Sequence, residues 1–205
     1  MSFFREHRGK RKITILLGHP DRDSLSGELA NIYESAAKFA GHEVRRTNLG
    51  DMQFDPILHH GYKAIQELEP DLKKLQEDIK WCDHFVLIYP NWWCTMPALL
   101  KGLFDRFWLP GFCFGFHKEG IKSHLHLWKR YMKGKTARVF VLSGTVPIAI
   151  YLFFGDYTNE IKKGILWFAG FKVKLTRMGP TDHNPPQWKI NHWKRTAARL
   201  GRLAE

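Results

Sequence analysis

The chain has 205 residues, of which 44% are hydrophobic, and this suffices for one compact domain with a sizeable core. Its three cysteines share no C-x-x-C spacing, which argues against a disulfide framework or a structural metal site. The formal net charge is +12, but the basic residues are scattered and accompany no nucleic-acid-binding motif. We therefore expect no metal and no nucleic-acid partner, and a reducing, cytoplasmic location.

The sequence also argues against a membrane-spanning or secreted chain. Residues 1–12 are basic but contain no apolar stretch of the kind found in a signal peptide. The most apolar segment, residues 139–155, is shorter than the roughly 20 residues of a span and is interrupted by polar residues and Pro147. Peripheral association with a membrane stays open.

Strand and helix patterns alternate along the chain. Five short β-branched or apolar runs are predicted strands, at residues 12–18, 42–49, 84–89, 136–143 and 172–178. Helical periodicity predicts helices at residues 25–39, 68–83, 96–108, 159–171 and 184–201, with Gly41, Gly170 and Gly201 as stops. We predict a single domain over residues 1–205, with a loose basic tail at 1–11 and insertions at about 51–69 and 109–135.

This alternation predicts an α/β fold in which helices cover both faces of a parallel sheet. The expected architecture is a doubly wound five-stranded sheet of order 2-1-3-4-5. Ligands of such sheets bind outside the carboxyl ends of the strands, at the switch point between strands 1 and 3. The loops that follow strands 1, 3 and 4 therefore meet at one crevice.

Each of these loops has a composition suited to part of a phosphorylated, flat ligand. After strand 1, His19 and the Ser24–Ser26 segment stand at a helix start, where phosphate is favoured, although Ser24 could serve only as an N-cap. After strand 3, adjacent tryptophans at 92 and 93 suit the walls of a ring pocket. After strand 4, the small residues at 143–145 permit close approach to the backbone, or simply form a tight turn.

Two motifs carry a resemblance to a known family. The first strand is followed by Gly18-His19-Pro20, a polar loop and Ser24. Residues 90–114 fit the pattern P-x-x-W-x-x-x-P-A-x-L-K-G-x-x-D-R, followed by P-G-F-x-F. On these residues the chain resembles the flavodoxin-like NAD(P)H:quinone oxidoreductase family, and residues 164–171 are similar to the family's helix before strand 5.

The resemblance implies a flavin enzyme, with FAD as first choice and FMN as the alternative, that passes two electrons from NAD(P)H to a quinone-like small-molecule acceptor. It also implies a homodimer with the active site between subunits. The flavin would be held by His19, Ser24, Leu25, Ser26, Pro90, Asn91, Trp92, Trp93, Cys94, Ser143, Gly144 and Thr145. The acceptor pocket would include Phe112, Phe114, Phe116 and Tyr151.

One departure concerns the loop after strand 4. The better-known members have a T-T-G-G type loop followed by a Tyr and a His, whereas this chain has Ser143-Gly144-Thr145-Val146 and no His between His126 and His183. Tyr151 or Tyr157 could replace the Tyr, but no proton-relay residue carries over. Two rival functions stay open: a flavin-binding regulatory subunit of a membrane transport system, and a flavodoxin-type electron carrier, which the positive charge disfavours.

Overall fold

The computed structural model describes residues 9–117, 119–125, 127–182 and 184–205, so most of the predicted basic tail lies outside the described residues. The strands are β1 Lys12–Leu17, β2 Glu43–Asn48, β3 His84–Asn91, β4 Phe114–Phe116, β5 Trp128–Arg130, β6 Thr136–Ser143 and β7 Lys172–Met178. The α-helices are α1 Leu25–Phe39, α2 Pro70–Trp81, α3 Ala98–Phe107, α4 Ile121–His124, α5 Pro147–Phe154 and α6 Gln187–Leu203. A 3-10 helix covers Leu49–Asp51, and a π-helix covers Glu160–Trp167.

The main sheet has the predicted topology. Its five strands are parallel in the order β2-β1-β3-β6-β7, which is 2-1-3-4-5 when only these strands are counted. The register is nearly level, because His84 of β3 pairs with both Ile13 of β1 and Thr136 of β6. The exits of β1, β3 and β6 therefore lie side by side on one edge of the sheet.

Two apolar layers cover the faces of this sheet. One contains α1 and α6, with Tyr33 and Trp193 buried among residues of β1, β3 and β6. The other contains α2 and α3, where the predicted inward positions Leu72, Leu75 and Ile79 are buried. Among the described residues, no helix has the length and apolar character needed to cross a bilayer.

The helix predictions are corrected at two points. Gly201 does not end the last helix, which continues to Leu203. A Cβ at Gly201 would lie 2.5 Å from the Tyr33 carbonyl oxygen, so this glycine permits the close crossing of α6 and α1. The helix predicted at residues 159–171 is confirmed over residues 159–169, with π-type hydrogen bonding over Glu160–Trp167, whereas the helix that precedes it, α5, was missed.

The two insertions are structured in different ways. Residues 109–135 contain an antiparallel hairpin of β4 and β5, in which Phe114 pairs with Arg130 and Phe116 with Trp128. Residues 51–69 have little regular structure and are held to α3 by Arg106, whose side chain is 1% exposed. That guanidinium donates to the carbonyl oxygens of Asp55 and Glu67 and pairs with the Glu69 carboxylate at 2.9 Å.

The Glu69 carboxylate is stabilised in its charged form. Burial acts to raise its pKa, but hydrogen bonds from the Asp55 N–H and from Arg106 hold the pKa below its usual value. A buried cation that satisfies two carbonyls and one carboxylate cannot be removed without leaving those acceptors unpaired. Arg106 is therefore the main polar anchor of the first insertion.

We predict that Arg106→Met lowers the free energy of unfolding by about 1–3 kcal/mol, because it removes a buried cation and leaves the partly exposed Glu69 carboxylate and the Asp55 carbonyl without that donor. Lys101→Met on the same helix is the matched control, since the Lys101–Asp105 pair is partly exposed and such pairs contribute about 0–1 kcal/mol. Urea unfolding of both variants measures the difference. Equal losses would contradict the anchoring role of Arg106.

Candidate functional site

An open pocket of about 360 Å³ lies at the carboxyl edge of the sheet, beside the first turn of α1. Eight of the twelve residues predicted to bind a cofactor line it. The full lining is His19, Ser24, Leu25, Ser26, Pro90, Asn91, Trp92, Leu142, Gly144, Thr181 and Asp182. The level register of the parallel strands accounts for this convergence, since the contributing loops leave neighbouring strands.

The first turn of α1 is arranged to receive an anion. Ser24 is the N-cap: its hydroxyl accepts from the Gly27 N–H at 3.3 Å and donates to the Asp21 carbonyl at 2.7 Å. The first helical bond runs from the Glu28 N–H to the Ser24 carbonyl oxygen, at 2.9 Å. The N–H groups of Leu25 and Ser26 precede it and have no acceptor within the helix. Capping by Ser24 and anion binding by this turn are therefore compatible.

His19 connects the β1 exit to the β3 exit. Its Nδ1 accepts from the Asp21 N–H at 2.9 Å, so the neutral ring carries its proton on Nε2. The ring also packs edge-on against Trp92, with centroids 5.6 Å apart. His19 thus presents a hydrogen-bond donor at the mouth of the pocket while its other nitrogen fixes the loop.

The β3 exit is a tight turn that separates the two tryptophans. Trp93 and Cys94 both have positive φ, 53° and 62°, and Trp92 and Thr95 exchange backbone hydrogen bonds of 2.9 and 3.1 Å. Positive φ is costly for residues other than glycine and clusters at functional sites. Trp92 lines the pocket, whereas Trp93 is 98% exposed and does not. Cys94 packs against the core beneath the turn.

Asn91 supplies an unsatisfied polar group at the same place. Its side-chain amide oxygen is buried and has no hydrogen-bond partner among the described residues. Buried polar atoms nearly always have a partner, and an orphan calls for an explanation. Because Asn91 lines the pocket, a ligand N–H that reached this oxygen would satisfy it.

The β6 exit contributes only Gly144 of its three predicted residues. Ser143 is buried and its hydroxyl donates to the Tyr157 hydroxyl at 3.5 Å, while Thr145 is exposed and does not line the pocket. A Cβ at Gly144 would lie 2.1 Å from the Asp182 carboxylate, so only glycine lets that side chain occupy its position.

Three pocket residues were missed by the sequence prediction: Leu142, Thr181 and Asp182. The last two belong to the loop after β7, which reaches the pocket through a hydrogen bond from the Thr181 N–H to the Ser143 carbonyl at 2.9 Å. The predicted strand order could have identified them, because β7 lies parallel to β6 and the polar loop that follows β7 therefore begins at the same edge of the sheet.

The predicted acceptor residues do not line the pocket within one protomer. Phe112 is buried beside Phe107 and Trp108, with ring centroids 5.9 and 5.6 Å away, and is therefore a core residue. Phe114, in the hairpin, packs on Phe168 at the end of the π-helix, with ring centroids 5.0 Å apart. Phe116 and Tyr151 are exposed.

Comparison with known proteins places the chain in a family. Residues 11–191 match the sequence model of a protein family that is described as having a flavodoxin-like fold, and the chain belongs to that family. It is 25% identical over 187 residues to human ribosyldihydronicotinamide dehydrogenase [quinone], covering 80% of this chain and 78% of that protein. It is 24% identical over 216 residues to rat NAD(P)H dehydrogenase [quinone] 1, covering 90% of this chain and 76% of that protein.

A solved structure supports the same fold. The NAD(P)H:quinone oxidoreductase from Methanothermobacter marburgensis superposes with a TM-score of 0.78 at 24% identity, over 96% of this chain and 100% of that one. The family and the oxidoreductase class predicted from the sequence motifs are thereby confirmed.

The close packing of the β1 exit loop on α1 yields a prediction. A Cβ at Gly27 would lie 1.9 Å from the Arg22 carbonyl oxygen. Alanine normally stabilises a helix relative to glycine by about 1 kcal/mol. At Gly27 we expect the reverse, a loss of about 1–3 kcal/mol, because the loop backbone must move.

Gly164→Ala in the π-helix is the control, since a Cβ there meets nothing within 4 Å. We expect it to be neutral or stabilising by up to about 1 kcal/mol. Denaturant melts of both variants provide the comparison. A stabilised Gly27→Ala variant would mean that the loop does not rest on the helix as described.

Proposed function

We propose that the protein is a flavin-dependent oxidoreductase that takes two electrons from NAD(P)H and passes them to a quinone-like acceptor. The observation that carries the proposal is the pocket at the carboxyl edge of the sheet, where the first turn of α1, the unpaired side-chain oxygen of Asn91 and the Trp92 indole line one cavity. The names of the relatives support it, since the human and rat proteins are both quinone dehydrogenases.

The pocket residues fit the parts of a flavin. The Leu25 and Ser26 N–H groups and His19 Nε2–H suit its phosphate, because a helix N-terminus favours negative charge. The orphaned Asn91 oxygen suits an imide N–H of the ring, and Trp92 offers an aromatic wall. When bound, a flavin supplies the hydride acceptor and the two-electron donor that no side chain provides.

We propose FAD as first choice and FMN as the alternative. The pocket residues named above address the riboflavin phosphate that both molecules contain. Mass determination of the flavin released by denaturation separates the two. Because the protein needs only to orient and shield its cofactor, no side chain is assigned as a nucleophile.

Steady-state kinetics test the proposed reaction. With NAD(P)H and a soluble quinone both varied, we expect parallel double-reciprocal lines, because alternating use of one site gives ping-pong behaviour. Ser24→Asp should abolish most of this activity by placing a carboxylate where the phosphate binds. Repulsion between like charges about 4 Å apart is about 4 kcal/mol at intermediate dielectric.

Ser35→Asp, an identical change at an exposed position of the same helix, should leave flavin binding and turnover unchanged. Aspartate is also a good N-cap, so Ser24→Asp should stay folded, and a melt verifies this. If the folded Ser24→Asp variant kept its flavin affinity, the phosphate would have to bind somewhere other than the first turn of α1. Intersecting lines would contradict the shared site.

We further propose a homodimer in which Phe116, at the end of β4, and α5 of one subunit complete the pocket of the other. Support comes from exposed apolar side chains on both elements. The hairpin exposes Phe116. The exposed apolar side chains of α5 are Ile148, Tyr151, Leu152, Phe153 and Phe154. Contiguous apolar surface of this kind marks interaction sites on soluble proteins.

The dimer predicts a specific role for Phe116, which is 62% exposed in the protomer. Phe116→Ala should leave unfolding nearly unchanged but weaken the use of both NAD(P)H and quinone, as judged by kcat/KM. Phe39→Ala, at an exposed site on α1, should alter neither. A monomer by light scattering at high concentration, with flavin bound, would refute the proposal, as would an unaffected Phe116→Ala enzyme.

A further inference from the structure

We propose that a second pocket, between the hairpin and the end of the π-helix, binds a small planar aromatic phosphate of the mononucleotide type. This pocket has a volume of about 430 Å³ and shares no residue with the pocket at the sheet edge. Its lining is His117, Leu127, Trp128, Lys129, Arg130, Lys133 and Trp167.

The charge of this pocket is one-sided. Of its seven lining residues, three are Lys or Arg, one is a histidine and none is acidic. Within the described part of the chain, Lys129, Arg130 and Lys133 have no carboxylate within ion-pair distance, whereas several other surface cations are paired. An anionic ligand would therefore meet cations that are not already neutralised.

The aromatic surface of the pocket is ordered. Trp128 stacks on Phe168 with centroids 4.4 Å apart and an interplanar angle of 13°. Trp167 meets Trp128 edge-on at 6.3 Å and remains 48% exposed, and the Arg130 guanidinium lies 4.3 Å from the Trp167 ring centroid. Indole faces beside cations are suited to stacking of flat heteroaromatic rings.

Some residues of this pocket have a structural role, because they attach the hairpin to the end of the π-helix. Trp128 Nε1 donates to the Phe168 carbonyl at 2.8 Å, Arg130 donates to the Trp167 carbonyl, and the Met132 N–H donates to the Ala169 carbonyl at 2.9 Å. These bonds satisfy carbonyls around the end of the π-helix and attach the hairpin to it.

Lys129 and Lys133 have no such task. Both side chains belong to exposed residues, and no side-chain hydrogen bond of either is found among the described residues. Arg130 also keeps its Nε buried without a partner. The structure therefore uses Trp128 and Arg130 as scaffold and leaves two lysines beside the half-exposed Trp167 indole, one face of which Arg130 covers. A ligand that stacks a flat ring on this indole and places a phosphate between the two lysines is a mononucleotide or a molecule of similar chemistry.

Titration of the purified full-length protein, with its flavin, tests the site. The probes are adenosine 5′-monophosphate, adenosine alone and inorganic phosphate, each followed by calorimetry and tryptophan fluorescence. We expect the nucleotide to bind more tightly than either fragment. The double variant Lys129→Gln/Lys133→Gln should weaken it by about tenfold or more, since one hydrogen bond to a charged group accounts for about that factor.

Two matched variants control for net charge and folding. Lys162→Gln/Lys163→Gln removes the same charge from the π-helix outside the pocket and should leave affinity unchanged. Lys129→Arg/Lys133→Arg should retain most of the binding. Ser24→Asp, which targets the proposed flavin site, should also bind the nucleotide normally, so failure of one proposal is distinguishable from failure of the other.

Three outcomes would overturn the inference. Nucleotide no tighter than inorganic phosphate would reduce the pocket to a general anion surface. No binding at millimolar concentrations would make these lysines an ordinary solvated face. Equal loss in the two lysine-to-glutamine pairs would attribute binding to net charge, not to this pocket.

Discussion

The level register of the parallel sheet is the constraint on which the rest of the structure depends. Because β1, β3 and β6 pair in step, their carboxyl ends and the first turn of α1 meet at one edge. Backbone N–H groups without a helical acceptor then stand beside an aromatic loop and a buried amide. None of these groups suggests a site alone, and the topology brings them together in one pocket, the candidate site.

Local conformational cost is concentrated around this edge. Trp93 and Cys94 adopt positive φ, and the loop before α1 rests so closely on Gly27 that no side chain fits. Such features persist only where the surrounding structure over-determines them. Here Thr95 is tied by its hydroxyl to the Glu160 carboxylate at 2.8 Å, which joins the turn to the π-helix. The stable core thus holds a strained rim in place.

The sequence predicted well what depends on periodicity and strand order. The five parallel strands, their order and the inward faces of α2 and α6 follow from apolar spacing, which local burial dictates. Other features depend on three-dimensional packing. Phe112 was predicted to line the acceptor pocket, but ring contacts within the protomer bury it. Gly201 was predicted to end the last helix, but it permits the close crossing of α6 and α1. Asp182 reaches the pocket only because β7 lies next to β6.

The most direct test of the central claim is the visible absorption spectrum of the purified protein, recorded without oxygen. We expect flavin bands that bleach on addition of NAD(P)H and return when a quinone is added. The bands should be absent or weak in Ser24→Asp and normal in Ser35→Asp. A colourless protein that takes up neither FAD nor FMN on reconstitution would contradict the account.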